Sequence, residues 1–419
     1  MSKIAVIGAG VAGLATSFLL SKRHDIVLFE ASSSLGGHAH AESLVDSQGR
    51  QMNVDTAFLI FNDKTYTQFN RFLEALGVSD KAGPVAMSSC FSDIDRDFHY
   101  ALGNGLAPFL AEPSIFFRPD LARILVDLYR FRKHASTDLQ NGRDLSGVTA
   151  DEYFAPYSAV FRENFLYPLT AAIWSLPLAK MKQYPIATLL SYFDNHQLLS
   201  GRGDRRWRTF SGSSSVYVDA FARSFKGEIR LETPIKKIRR TADSVEVLSA
   251  KGAEKFAHVV LATHADVSFK LLANPTSEEA RLLGAWNYQD NLVTLHSDPS
   301  FLHANPKLWC SWNMRRENNE YRISYFLNRL QSLKTLDPVI LTLGECSPRK
   351  DLVKKTFSYR HPVFDACSVA TQPWLSSLNN VDRISFCGSY FGHGFHEDAV
   401  QSATQVADAL GVSWNTPTI

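Results

Sequence analysis

The sequence predicts an α/β protein: a Rossmann-like dinucleotide-binding domain, discontinuous in the chain, with an α+β substrate domain inserted into it. Three observations carry this. A glycine-rich turn joins a strand-like run to a helix-like run at the N-terminus, an acidic residue follows the next strand, and strand-like runs return midway and near the end. Lys3–Ile7 is a short apolar run of the kind buried in parallel sheets. The period then changes, with Val11, Leu14, Ala15, Phe18 and Leu19 recurring at helical spacing. Asp25–Phe29 reads as a second buried strand ending at Glu30. Ile4 to Ser21 is uncharged, as in a signal peptide, but Gly8, Gly10 and Gly13 would each cost about 1 kcal/mol inside a helix. A strand, turn and helix accommodate all three.

Gly8, Gly10 and Gly13 form a G-x-G-x-x-G in the context such a motif needs. The first makes the turn, the second lets backbone approach a pyrophosphate, and the third lets the helix pack closely on the strand. The N–H groups that open the helix, around Val11 and Ala12, point with the helix dipole at an anion. Glu30, followed by Ala31, suits a ribose diol and would repel a 2′-phosphate, which disfavours NADP.

Composition bounds the rest. At 419 residues the chain predicts two or three domains, and 45% hydrophobic with 21% charged residues is globular. A net charge of +2 gives no basis for nucleic-acid binding. Five scattered cysteines without a C-x-x-C pair suit a reducing, cytoplasmic setting and no structural zinc, and no H-E-x-x-H or paired-carboxylate spacing suggests a metal site.

FAD and NAD both carry the ADP half this unit accepts, and further features favour FAD. Gly36 and Gly37, before His38, would let the chain pass close to a diphosphate. Far downstream, 383–388 reads as a strand, then a glycine-rich turn, then a helix starting near His396 and stopping at Gly411. The N-terminus of that helix is placed to face a reduced flavin ring. Neither Gly103/Gly105 nor Gly201/Gly203 makes a second nucleotide site, so electrons are expected to pass directly between substrate and flavin, with the electron acceptor unidentified.

The opening unit, Leu35–Gly37, and the ending Phe386–Asp398 resemble the amine oxidase/phytoene desaturase superfamily of FAD-dependent oxidoreductases. Segments such as Trp174-Ser175, Asn195-His196, 261–266, 311–313 and 359–362 narrow the likeness to a bacterial subgroup often encoded beside cyclopropane-fatty-acid-synthase-type methyltransferases. The resemblance implies non-covalent FAD, with Gly36, Gly37 and His38 beside the diphosphate and Ile235 at the adenine. It places Phe58, Gly388, Phe395 and His396 near the ring system. His38 stands where arginine is usual, Ala57 where glycine is usual, and Asn291 where amine oxidases carry a lysine.

The resemblance also implies an FAD-binding domain of 1–70, 211–280 and 365–419, and a substrate domain of 71–210 and 281–364. Asp120, after Pro119, opens a helix expected to bury Leu121, Ile124, Leu125 and Leu128 and to expose Arg123, Asp127 and Arg130. With Phe116, Phe117, Arg118, Arg132 and Lys133 it offers contact with a membrane surface, against which its two acids count. The apolar run from Leu169 to Ala179, with Pro177 inside it, is too short to span a bilayer. The expected activity is a dehydrogenase or desaturase moving a hydride from an apolar, acyl-chain substrate to flavin, with His393 and Asn291 as candidate catalytic groups. The alternatives are an amine oxidase, a double-bond isomerase, and a non-catalytic FAD protein partnering a lipid-modifying enzyme.

Overall fold

The computed structural model describes residues 1–85, 87–103, 117–174, 178–196, 198–199, 206–318 and 320–418. Gly105, Phe116, Ser175, Pro177, Gly201 and Gly203, named above, lie outside the described residues.

Five short segments, four of them mostly apolar, pair into one parallel sheet, in the order Glu228–Arg230, Asp25–Phe29, Lys3–Ile7, His258–Leu261, Ile384–Phe386. The four core positions of Lys3–Ile7 and of Asp25–Phe29 are buried, as expected of parallel strands covered on both faces. The helix Val11–Leu20 follows the first strand, and the closing helix His396–Ala409 packs along it. That second neighbour corrects the expected amphipathic stripe. Ala12, Thr16 and Ser17 are buried along with the apolar positions, and Phe18 is the partly exposed member. Small side chains on both helices permit the approach. Gly411, at φ +76, ends the closing helix in the left-handed conformation expected of it.

One of the strand-like runs expected midway in the chain, at 228–238, divides in two. Glu232 takes a positive φ and Pro234 follows, so Glu228–Arg230 joins the parallel sheet while Lys237–Arg240 starts a three-stranded antiparallel sheet with Val245–Ser249 and Gly252–Phe256.

A seven-stranded sheet joins Ser88–Asp93 and Phe98–Gly103 to five strands between Tyr288 and Pro362. Helices from 119 to 195 pack beside it. The longest, Pro119–Gln140, differs from expectation: its buried stripe is Leu121, Ile124, Asp127, Phe131, Ala135 and Asp138, and Leu125 faces out. Asp127 turns inward because partners wait there. Its carboxylate accepts from the Ser158 N–H at 3.0 Å and pairs with Arg130 at 2.9 Å. Among the described residues no helix is long and apolar enough to cross a membrane.

Candidate cofactor and substrate cavity

The parallel strands end on one cavity of about 510 Å³, within the range of ligand sites. Ile7, Phe29, Ala262 and Gly388, each at or just past a strand's carboxyl end, line it, as do residues of the seven-stranded sheet and of the neighbouring helices. This is where ligands bind in open α/β sheets.

At one end lies the glycine turn. Gly8 has φ +99, and a Cβ at Gly13 would stand 1.8 Å from the Gly8 carbonyl oxygen. Gly10 is the N-cap of its helix, with no side-chain cap and no acidic residue in the first turn. Its N-terminal N–H groups therefore keep their capacity for an outside acceptor. A Cβ on Gly10 would meet nothing within 4 Å. Gly36 and Gly37 close against this turn: the Gly36 N–H donates to the Ala9 carbonyl at 2.9 Å, and a Cβ at Gly37 would come within 3.1 Å of the Gly10 Cα. Glu30 accepts from the Ala9 N–H at 2.8 Å and from Ser32, and its remaining lone pairs suit two hydroxyls. Val11, Ala12, Ala31 and Ile235 also line this end.

The closing turn also reaches the cavity. Gly388, Phe395 and His396 line the cavity, as does Phe58. The His396 ring stacks on Phe58, with centroids 3.6 Å apart, and meets the Tyr217 hydroxyl at 3.2 Å. Burial holds its pKa well below the ordinary value, so it is a neutral packing group. The helix N-terminus reaches the cavity, and its own Asp398 caps it, accepting from the Phe395 N–H at 2.8 Å. Glu397 turns instead to the N-terminus of the helix Thr67–Ala75, accepting from the N–H groups of Gln68 and Phe69, both at 2.9 Å.

A cluster of imidazoles also lines the cavity. His38 lies 5.1 Å from His361 and 6.1 Å from His264, ring to ring, and His264 stacks on Tyr288 at 4.3 Å. Desolvation lowers all three, His264 to about 4 and His361 to about 3, so they are neutral near pH 7. Asn291 lies behind this wall. It contacts His361 at 2.8 Å and does not line the cavity. His393 is also outside: its Nε2 meets Asn195 Nδ2 at 3.2 Å, and its carbonyl accepts from the Trp174 indole. Of the cofactor positions read from sequence, all but Gly13 line the cavity, and Gly13 packs against Gly8 beneath it. Neither proposed catalytic side chain does.

The remaining arm is aromatic. Trp174, Tyr192 and Phe395 pack together, with centroids 4.7 to 6.1 Å apart, and Trp312 stands 5.9 Å from Tyr325. Glu30 and Arg360 are the charged side chains lining the cavity among the described residues, and Arg360 is paired with Asp266 at 3.0 Å. Sequence reasoning missed His264, His361, Trp312 and Tyr390 as wall residues. His264 and Tyr390 had a signal, since they come three and four residues after a strand's carboxyl end; Trp312 and His361 come from the inserted sheet, which local pattern does not aim. Three wall groups hold buried polar atoms without a partner: His38 Nε2, Trp312 Nε1 and the Tyr390 hydroxyl. Such atoms are costly unless a ligand meets them.

Residues 6–76 match the family model of the NAD(P)-binding Rossmann-like domain. No curated protein sequence matches the chain. Over its whole length the fold is similar to a solved fatty acid isomerase from P. acnes that produces CLA, at 14% identity, TM-score 0.68 and 98% coverage of both chains. It is also similar to cyclohexylamine oxidase from Brevibacterium oxydans IH-35A, at 15% identity, TM-score 0.68 and coverage of 98% and 99%. A putrescine oxidase double mutant gives 12% identity, TM-score 0.66 and 98% coverage of both chains. The chain thus has the mixed α/β architecture of amine-oxidase-fold proteins, with a Rossmann-like nucleotide-binding domain.

Proposed function

We propose that this chain is an FAD-dependent oxidoreductase acting on an uncharged, apolar substrate such as an acyl chain. The carrying observation is one cavity that joins an uncapped, glycine-lined helix N-terminus to an aromatic arm without a charged side chain among its described residues. The fit to FAD rests on the Gly10 space, the free lone pairs of Glu30 and the three unpartnered wall atoms. Gly8–Gly13 and Gly36–His38 would hold the diphosphate, Glu30 the ribose, Ile235 the adenine, and the Gly388 and Phe395–His396 turns the ring system. When bound, FAD supplies a two-electron acceptor for hydride from a C–H bond. The chain's own part is to exclude water with Trp174, Tyr192, Trp312 and Phe395 and to orient the substrate against them. With no ammonium-binding carboxylate among the arm's described residues, a charged amine would enter at a desolvation cost.

A second reading is a double-bond isomerase, in which the substrate keeps its electrons overall. The lack of a carboxylate or lysine base among the arm's described residues favours it, and the similar fold of a fatty acid isomerase agrees. The test is the absorption spectrum of the purified protein under nitrogen as oleic acid, linoleic acid, dioleoyl phosphatidylglycerol and cyclohexylamine are added. Flavin bands that bleach with a lipid support dehydrogenation, and product without bleaching supports isomerisation. Colourless protein that does not take up added FAD overturns both.

A further inference from the structure

The helix Pro119–Gln140 buries one stripe against its neighbours and leaves the opposite face uncovered. On that face Leu125 is 52%, Val126 57% and Tyr129 70% exposed, and Phe117, just before the helix, is 89% exposed. At 100° per residue, positions 122, 125, 126, 129 and 133 fall within about one third of the circumference. The same side carries Arg123, Arg130 and Lys133, all exposed. Its exposed positions from 122 to 133 include no acid, because Asp127 has turned inward to Ser158 and Arg130. Arg123 and Lys133 make no ion pair among the described residues.

Unpaired cations beside exposed aliphatic and aromatic side chains describe a helix that lies in a charged interface. We propose that this face docks the protein on the surface of an anionic lipid bilayer, with Leu125, Val126 and Tyr129 entering the headgroup boundary and Arg123 and Lys133 meeting lipid phosphates. A second copy of the chain fits less well, since a two-fold contact through this face would oppose Arg123, Arg130 and Lys133 with their own equivalents. The inner face also ties the helix to the cavity. Phe131 packs on Phe193 of the helix Ile186–Asn195, which carries the cavity residue Tyr192. Docking needs no cofactor, so its test is independent of the proposed activity.

The test is co-sedimentation of the full chain with vesicles of phosphatidylcholine alone or mixed equally with phosphatidylglycerol. Binding is expected to the mixed vesicles only, and to weaken in 0.5 M salt. Arg123→Glu with Lys133→Glu should lower the vesicle partition coefficient at least tenfold, since each cation removed costs roughly fivefold. Val126→Ser with Tyr129→Ser should lower it at unchanged salt dependence. Unchanged thermal melting of each variant shows that the fold is intact. Wild type that stays in the supernatant with both vesicles overturns the proposal, as do variants that sediment like wild type. So does a wild-type dimer in light scattering that the serine variant dissociates.

Discussion

Asp398, third residue of the closing helix, returns its carboxylate to the Phe395 N–H at 2.8 Å and so fixes the turn that carries the cavity's aromatic edge. Gly392 makes the room: a Cβ there would lie 2.1 Å from an Asp398 oxygen. Asp398→Ala strips a buried turn of its acceptor and should cost about 1–3 kcal/mol in urea unfolding. Gly392→Ala should destabilise by clash, yet the double variant should cost less than the sum, because removing the carboxylate removes the clash. Additive costs would show that the two residues do not share this contact.

Gly10 and Gly13 separate cofactor binding from folding. A methyl at Gly13 meets the Gly8 carbonyl, so Gly13→Ala should lower stability by several kcal/mol or prevent folding. A methyl at Gly10 meets no protein atom within 4 Å. Gly10→Ala should therefore melt within a few degrees of wild type while retaining at least tenfold less FAD after gel filtration. Equal flavin content in Gly10→Ala and wild type would remove the pyrophosphate from this turn.

What was legible in the sequence was what local pattern controls. The βαβ unit, Glu30 and the closing helix were read because a strand, a tight glycine turn and a helix each leave a periodic or steric mark over a few residues. The inserted sheet left weaker marks: Trp312 and His361 reach the cavity only through long-range pairing. Asn291 was aligned to a flavin-side lysine and proves to stand behind His361, since side-chain direction follows register. Asp127 looked solvent-facing because a charge on a helix usually is, and the Ser158 N–H that draws it inward lies 31 residues away.

Asp55 should give the fold a pH dependence of definite sign. Its carboxyl accepts from the Ser214 N–H and hydroxyl and from Gln331 Nε2, yet burial pushes its pKa up to about 7. A folded-state pKa above the unfolded value means that the native state holds the proton longer, so stability falls as pH rises from about 4 to 7. The depressed histidines act oppositely: His264 and His361 favour the native state as pH rises to about 6.5. Asp55→Asn isolates the carboxyl. The unfolding free energy of wild type relative to this variant should decline by roughly 2–4 kcal/mol between pH 4 and 7 and level off above. A difference that is flat or rises over that interval contradicts a neutral Asp55 in the acid range.

The unpartnered Tyr390 hydroxyl and Trp312 indole offer the last discrimination, since each lines the cavity with a buried polar atom that the protein leaves unmet. Removing such an atom relieves a desolvation cost, so Tyr390→Phe and Trp312→Phe should leave the cofactor-free protein as stable as wild type or more so. Their effects on binding should differ by position. Tyr390 follows Gly388 and Ser389 at the cofactor end, so its loss should weaken FAD retention; Trp312 stands by Tyr325 in the aromatic arm, so its loss should spare FAD. In flavin-loaded protein, Trp312→Phe should instead weaken an oxygen-bearing ligand such as oleic acid more than a plain hydrocarbon of equal length, read by perturbation of the flavin spectrum. If both variants destabilise the cofactor-free protein, the two groups are satisfied within the fold and neither awaits a ligand.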